Sequence, residues 1–187
     1  EKVGKYEKAI KHFMASLKIS TDIGNRTKIE NNHCGLGNAY RGLGDYKKAI
    51  EHHEKALHLS IQNGDQSSIG MYYGNLGNVY ECLGEYERAI DYQKKALELS
   101  TAPEEEARCN GNLGNVYFAV AEFEKAIGYF ETALKLSDDI GDKIGIANQN
   151  GNLGNAYKYL GKNQKAKSYF KTGLKKSTEI GYQYGIA

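Results

Sequence analysis

The sequence predicts an all-α solenoid built from antiparallel helix pairs, and three observations carry this prediction. The first is an internal repeat with a period near 40 residues. The second is the recurrence of apolar residues at intervals of three and four, which is typical of a helix with one buried face. The third is that the 187 residues include a single proline, so helices can run almost uninterrupted.

Two sequence markers define the repeat. The segment Leu-Gly-Asn-x-Tyr recurs with spacings of 40, 37 and 40 residues, starting at Leu36, Leu76, Leu113 and Leu153. An Ala-Ile pair or its equivalent recurs with spacings of 40, 40, 37 and 40 residues, starting at Ala9, Ala49, Ala89, Ala126 and Ala166. Because both markers shorten together at one place, they belong to a single repeating unit.

Each repeat reads as two helices. In one repeat the first helix is predicted at about residues 67–83, with a buried face made by Tyr73, Leu76, Tyr80 and Leu83. The second helix is predicted at about residues 85–100, and it buries Tyr86, Ala89, Ile90, Ala96 and Leu97. No segment alternates with the period of two that a half-buried strand shows.

The glycines, 22 in number, look too many for a helical protein until the repeat assigns them. One set should end the first helices, namely Gly44, Gly84 and Gly161, and the pairs at 64–65 and 141–142 should turn into the next repeat. A second set lies inside the first helices, where glycine costs about 0.5–1 kcal/mol relative to alanine. Close approach of another helix would compensate this cost at Gly37, Gly77, Gly114 and Gly154, with Ala49, Ala89, Ala126 and Ala166 as the expected neighbours.

The repeat of 37 residues has a local explanation. Residues 100–106 replace the Gly-Asp turn, and they place Pro103 before Glu104, Glu105 and Glu106. Proline at the first helical position and carboxylates in the first turn favour a helix start. An acidic binding motif is the alternative for these glutamates.

We therefore expect one solenoid over residues 1–187, with nine substantial helices. The predicted divisions are a partial repeat at 1–25, repeats at about 26–65, 66–102, 103–142 and 143–181, and the start of another at 182–187. Solenoids need polar capping repeats at their ends. Ile180 and Ile186 would lack partners, so we expect the array to continue in both directions.

The motifs resemble a known family. Leu-Gly-x-x-Tyr followed by spaced alanines is similar to the tetratricopeptide repeat, and G-N-L-G-N-x-Y with G-x-Y-x-K-A-I resembles the 40-residue repeats of Pins-type spindle-orientation adaptors. Arrays in multidomain signalling proteins, including those linked to ATPases, are also similar. The resemblance implies a right-handed superhelix whose first helices line a concave groove. Three positions depart from the pattern and predict softer packing, namely Asn163, His53 and Gln93.

The predicted functional site is this groove. Stepping by four, three and four along a first helix from Met71 selects Asn75, Asn78 and Cys82, and asparagine recurs at the matching places of the other repeats. The resemblance implies that such asparagines contact the main chain or carboxylates of a bound peptide. The predicted peptide-binding residues are Asn38, Arg41, Asn75, Asn78, Glu81, Asn112, Asn115, Phe118, Asn152, Asn155, Lys158 and Tyr159.

The chemistry of asparagine supports this prediction, although a structural role is the alternative. Each side-chain amide offers two donors and an acceptor, so it can pair with a peptide main chain of any sequence. Asparagine is also a mildly poor choice in a helix interior, and the helix alone does not require it. The recurrence would equally follow from interhelical hydrogen bonds or from common descent of the repeats.

Composition excludes several function classes. The net charge of +2 gives no basic excess for nucleic-acid binding, and no apolar run reaches the roughly 18–20 residues of a membrane span. Three cysteines without disulfide spacing suit a reduced, cytoplasmic protein. His52, His53 and His58 suit a metal site poorly, and no catalytic or phosphate-binding motif stands out, so we predict no cofactor, no metal and no enzyme activity.

A scaffold that captures a partner protein or peptide is the primary functional hypothesis. The alternative is a ligand-sensing or self-associating array within a larger signalling protein, with self-association through the uncapped ends. The lysines of the last second helix could form a patch for an acidic partner or a membrane surface. A solvated lysine face is the simpler interpretation, because Tyr169, Phe170 and Leu174 predict an ordinary buried stripe on that helix.

Overall fold

The structure is a computed structural model that describes residues 2–181, apart from the side chain of residue 2. All regular structure in this range is helical, which confirms the all-α prediction. Its nine helices are α1 (Lys2–Asp22), α2 (Arg26–Leu43), α3 (Tyr46–Asn63), α4 (Gln66–Leu83), α5 (Tyr86–Glu98), α6 (Pro103–Ala119), α7 (Phe123–Asp139), α8 (Lys143–Tyr159) and α9 (Asn163–Glu179). We call α2, α4, α6 and α8 the first helices, and α1, α3, α5, α7 and α9 the second helices.

The helices form two compact units. Unit 1 is Glu1–Leu99, where α1 packs on α2, α2 on α3, α3 on α4 and α4 on α5. Unit 2 is Ser100–Ala187, where α6 packs on α7, α7 on α8 and α8 on α9. Smaller contacts join α2 to α4 in unit 1 and α6 to α8 in unit 2. Each unit is thus a stack of antiparallel helix pairs, as a solenoid requires.

The predicted turns are confirmed by backbone geometry. Gly44, Gly84 and Gly161 adopt φ of 79°, 76° and 70°, the left-handed conformation that glycine reaches without strain. At the turn into α4, Gly64 has φ of 70° and the Asp65 side chain accepts a hydrogen bond from the Ser68 main-chain N–H at 3.2 Å. These residues satisfy helix-end groups that would otherwise lack partners.

The shorter repeat also forms the predicted helix start. Pro103 is the first residue of α6, and Glu104, Glu105 and Glu106 fill its first turn. The Glu105 carboxylate accepts a hydrogen bond from the Thr101 main-chain N–H at 3.2 Å. These carboxylates suit the positive end of the helix dipole.

The tyrosine that ends each Leu-Gly-Asn-x-Tyr motif stacks on a ring of the following second helix. The ring centroids are 5.2–5.4 Å apart in the pairs Tyr40–His52, Tyr80–Tyr92, Tyr117–Tyr129 and Tyr157–Tyr169. A basic group lies over each of these tyrosines, supplied by Lys48, Arg88, Lys125 and Lys165. Aromatic stacking with a nearby cation therefore closes each helix pair at one end.

The expected neighbours of the helical glycines were wrong. Ala49, Ala89, Ala126 and Ala166 are buried, but larger side chains of the second helices lie against the glycines. The contacting pairs are Gly37–His53, Gly77–Gln93, Gly114–Phe130 and Gly154–Phe170. Glycine at these positions makes room for a ring or an amide rather than for a small residue.

Two of the predicted soft positions are fully buried in unit 1. His53 and Gln93 are both 0% exposed. The Gln93 amide donates hydrogen bonds to the Gly74 carbonyl at 3.0 Å and to Asn78 Oδ1 at 2.7 Å. His53 is buried without a hydrogen-bond partner for either ring nitrogen among the described residues. Both side chains are therefore enclosed between the helices of their pair, whereas Asn163 is exposed.

Two predicted buried faces are partly open. Leu83 is 41% exposed, because it lies at the last turn of α4 beside the helix end. In α9, Phe170 and Leu174 are 38% and 61% exposed, so the predicted buried stripe is wrong there. Among the described residues only α8 packs on α9, and the side of α9 that faces away from α8 is uncovered. Ile186 lies outside the described residues.

Candidate peptide-binding surface

In unit 1 the predicted groove residues lie on α2 and α4 with different degrees of exposure. Asn38 is exposed, whereas Arg41, Asn75, Asn78 and Glu81 are half-buried. The amides of Asn38 and Asn75 both point to the Cys34 sulfur, each with a nitrogen–sulfur distance of 3.8 Å. Sulfur is a weak acceptor, so these contacts leave most of the amides' hydrogen-bonding capacity unused.

Asn78 has an internal role in unit 1. Its Oδ1 accepts the hydrogen bond from Gln93, whose side chain is fully buried. A buried amide without a partner costs about 1–3 kcal/mol, so Asn78 contributes to the stability of the α4–α5 pair. The asparagine at this position is at least partly structural.

The surface of unit 1 carries charges of opposite sign on its two first helices. Arg41 on α2 and Glu81 on α4 occupy matching positions of successive repeats. Burial raises the pKa of the Glu81 carboxyl, and the nearby Arg41 charge partly opposes that shift. The two side chains are therefore electrostatically coupled across the face shared by α2 and α4.

In unit 2 the asparagines of α6 and α8 contact one another. The Asn152 amide donates to Asn115 Oδ1 at 3.3 Å and to Gln149 Oε1 at 3.3 Å. Asn112, Asn115 and Asn152 are half-buried, and Asn155 is exposed. This arrangement places several amides on one face of unit 2 and leaves Asn155 pointing into solvent.

An aromatic cluster lies beside these amides in unit 2. Tyr159 is 67% exposed and contacts the rings of Phe118 and Phe123, with centroid distances of 5.3 and 5.1 Å. Phe118 and Phe123 are themselves 5.3 Å apart. Lys158 is exposed next to the cluster. Phe123 completes this cluster, and the sequence analysis did not assign it to the site.

A pocket of about 530 Å³ opens between α6 and α8. Its lining combines the predicted Asn112, Asn115 and Asn152 with Arg108, which the same helical spacing selects. The other lining residues lie outside the predicted set, chiefly Gly111, Gln149, Asp142 and Gly145. Its volume lies within the range of ligand pockets, roughly 300–1,000 Å³. A comparison of the repeats position by position could have indicated it, because Gln149 and Gly111 replace larger side chains of unit 1.

Cysteines and histidines do not form a reactive centre in the described part of the chain. Burial, with a contribution from Glu30, raises the pKa of the Cys34 thiol, which opposes formation of a nucleophilic thiolate. His33 and His52 approach to 2.9 Å between their Nδ1 atoms, and burial lowers the pKa of His33 to about 4. Within residues 2–181, no group of three or more His, Cys, Asp or Glu side chains is placed to hold a metal ion.

No helix within residues 2–181 is both long enough and apolar enough to cross a membrane.

Comparison with solved structures finds the same fold. BtubC from P. vanneervenii superposes with a TM-score of 0.81 at 23% identity, over 98% of this chain and 78% of its own. MamA superposes with a TM-score of 0.67 at 28% identity, over 95% of this chain and 92% of its own. A Rap protein in complex with competence and sporulation factor gives 0.85 at 16% identity, over 94% of this chain and 50% of its own.

Comparison by sequence identifies the family. No curated protein matches the chain. The tetratricopeptide repeat pattern matches residues 1–62, 29–102 and 105–178, which together cover most of the sequence. The chain therefore belongs to the tetratricopeptide repeat family, and it is a repeat scaffold of the kind that mediates protein interactions.

Proposed function

We propose that this chain binds extended segments of a partner protein on its first helices, with one surface on α2 and α4 of unit 1 and another on α6 and α8 of unit 2. The observation that carries the proposal is the amide at one position of all four first helices, with Asn38 and Asn155 exposed and Asn78 and Asn115 half-buried. Side-chain amides can pair with main-chain groups regardless of sequence, so they would supply affinity without demanding a motif.

Selectivity would come from a neighbouring position that differs in every repeat. Three residues after each of these asparagines stand Arg41, Glu81, Phe118 and Lys158. Unit 1 thus offers a cation and a carboxylate, whereas unit 2 offers an aromatic ring and a cation, with Tyr159 enlarging the aromatic surface. Such variation beside constant amides suits a surface that selects its partner by charge and ring contacts.

The internal hydrogen bonds separate asparagines that stabilise the fold from those that are exposed for binding. Asn78 supports Gln93, and Asn152 is bonded to Asn115 and Gln149, so these side chains hold the surface in shape as well as presenting it. Asn38 and Asn155 are the more exposed members, and they would contribute more to binding than to stability. The Rap protein of the comparison, which is complexed with competence and sporulation factor, gives a precedent for a ligand on this fold.

The test is peptide selection followed by affinity measurement. Random peptides displayed on phage are selected on the immobilised 187-residue chain, and the affinity of selected peptides is measured by fluorescence polarisation. The variant Asn38→Ala/Asn78→Ala/Asn115→Ala/Asn155→Ala should bind at least about tenfold more weakly, which corresponds to about 1.4 kcal/mol.

A matched control removes amides from second helices. Gln62, Asn163 and Gln164 are exposed on α3 and α9, and their triple alanine variant should keep wild-type affinity. Circular dichroism establishes that both variants are folded. If the quadruple variant binds as tightly as the wild type, the asparagine surface is not the binding site.

A further inference from the structure

The space between neighbouring first helices is filled in unit 1. Tyr72 of α4 is 0% exposed and its hydroxyl donates a hydrogen bond to Glu30 Oε1 of α2 at 2.9 Å. The Asn63 amide donates to Glu30 Oε2 at 3.3 Å, so the buried carboxylate has partners on both oxygens. Cys34 lies on α2 one turn beyond Glu30. An aromatic ring with a bonded hydroxyl therefore closes the gap between α2 and α4.

The same space is open in unit 2 because three side chains are smaller. When the repeats are aligned on their Leu-Gly-Asn-x-Tyr motifs, Ala107 corresponds to Glu30, Gly111 to Cys34 and Gln149 to Tyr72. All three line the pocket of about 530 Å³ between α6 and α8. The pocket thus occupies the place that a tyrosine side chain fills in unit 1.

An acceptor for a phenol hydroxyl remains in this pocket. In unit 1, Asp65 caps the start of α4 and receives a hydrogen bond from the Ser68 hydroxyl at 2.7 Å. It also lies close enough to Tyr72 to help raise the pKa of the phenol. Asp142 is the corresponding residue of unit 2 and lines the pocket. Gly145 replaces Ser68 and has no hydroxyl to donate to it, while Asp142 Oδ1 accepts the main-chain N–H of Ile144 at 3.1 Å, so Oδ2 is the oxygen that can accept from a phenol. Ser137 adds a second oxygen to the lining.

We propose that the pocket between α6 and α8 takes an aromatic side chain, tyrosine by preference, from the partner segment bound along the first helices. This inference rests on the proposed function and names the side chain that the surface selects. The ring replaces the one that Tyr72 supplies internally in unit 1, and its hydroxyl donates to Asp142. The Arg108 guanidinium in the lining supplies a cation for the ring face.

The surroundings of the pocket suit a residue within a peptide. Asn112, Asn115 and Asn152 belong to the same lining, so amides stand beside the ring site where the main chain on either side of the tyrosine would run. The charged lining residues are Glu104, Asp142 and Arg108, which disfavours an acidic side chain. An aromatic side chain buries roughly 150–250 Å² of surface and loses little entropy, so one such residue can anchor a segment.

The test uses N-acetyl-tyrosinamide as the probe and the full 187-residue chain labelled with nitrogen-15. Titration should produce saturable amide shifts at Gly111, Gly145 and Gln149. N-acetyl-leucinamide and N-acetyl-lysinamide should bind at least about fivefold more weakly. Equal or tighter binding of either competitor overturns the aromatic assignment, and unmoved pocket amides at saturating probe overturn the pocket itself.

A filled variant gives the matched control. The variant Ala107→Glu/Gln149→Tyr rebuilds the side chains of unit 1. It should remain folded and bind the probe at least about tenfold more weakly. A folded filled variant that keeps wild-type affinity contradicts the proposal. If circular dichroism shows that it does not fold, Gly111→Leu fills the same space, because its nearest neighbour is the end of the flexible Gln149 side chain.

The inference and the proposed function can fail separately. Suppose that the selected peptides lose affinity for the fourfold asparagine variant, but the probe does not shift the pocket amides. The binding surface is then retained and the pocket is excluded. If the probe binds the pocket but the selected peptides bind the fourfold asparagine variant as tightly as the wild type, the pocket is retained and the asparagine surface is excluded. For a selected peptide that contains tyrosine, replacing that tyrosine with alanine should weaken binding to the wild-type chain but should not change binding to the filled variant.

Discussion

The gap between α2 and α4 in unit 1 and the gap between α6 and α8 in unit 2 occupy equivalent positions between successive repeats, and they have opposite characters. Tyr72 and Glu30 close the first with a buried hydrogen bond, whereas Gln149 and Ala107 leave the second open as a pocket. The residues that stack the helices, such as Leu36 and Leu113, are fully buried in both units. The stacking contacts are therefore the same in both units, and the residues between the first helices decide whether the gap is filled or open.

The largest expected effect comes from opening the closed gap. Tyr72→Ala should lower the free energy of unfolding by about 3–5 kcal/mol, because it removes a buried ring and the partner of a buried carboxylate. The corresponding Gln149→Ala in unit 2 should cost less than about 1 kcal/mol, since its side chain borders an existing pocket. Urea denaturation measures both. Similar losses would show that the two gaps do not differ energetically.

A pH dependence should distinguish His53 of unit 1. Burial lowers its pKa to about 4, with smaller contributions from Arg41 and His52, so the unfolded chain takes up the proton first. Stability should therefore fall as pH drops from about 7 towards 4, by up to about 3 kcal/mol from this residue. His33, whose pKa is also lowered to about 4, should add a slope of its own, so His53→Phe should remove roughly half of the total. Urea denaturation at several pH values tests this, and an unchanged slope would assign the effect to His33 and His52.

In unit 2 the residues that correspond to His53 are Phe130 and Phe170, and the glycines beside them allow a comparison. Gly114→Ala should destabilise the chain by about 1–3 kcal/mol, because its Cβ would meet the fully buried Phe130 ring. Gly154→Ala should be near neutral, since Phe170 is partly exposed and can move aside while alanine favours the helix. Thermal unfolding should rank the two variants in this order, and equal losses would contradict it.

The smallest expected effect separates structural from exposed asparagines. Asn78→Ala should cost about 1 kcal/mol, because the buried Gln93 amide loses one of its acceptors. Asn155→Ala should change stability by less than about 0.5 kcal/mol, as expected of an exposed side chain. Denaturant titration of each variant measures the difference. A larger loss for Asn155 would mean that the exposed amide has a structural partner in solution.

Much of the fold follows from the sequence because the repeat restates the same information several times. Helix ends at Gly44, Gly84 and Gly161 require backbone conformations that glycine favours, so turn chemistry located them. Neighbours of the helical glycines could not be obtained in this way. Which side chain of a second helix meets Gly77 depends on helix rotation and on the reach of Gln93, and periodicity reports neither.

The candidate site was predictable only in part. Spacing placed the asparagines on one helix face, but it could not separate Asn78, which bonds Gln93, from the exposed Asn155. The pocket depends on contacts between helices that are about 40 residues apart in sequence. Only their packing shows that Gln149 and Ala107 border one space. The prediction that the apolar stripe of α9 is buried was wrong for a similar reason. Burial of that stripe depends on a further helix packing against it, and the spacing of apolar residues does not report this.

The most direct test of the account is to map where a selected peptide touches the chain. Nitrogen-15 spectra of the 187-residue chain would be recorded with and without a peptide obtained from the random library. If the first helices form the binding surface, the largest shifts should fall on Asn38, Asn78, Asn115 and Asn155. Shifts confined to the outward residues of α3, α5, α7 and α9, with those asparagines unmoved, would contradict it.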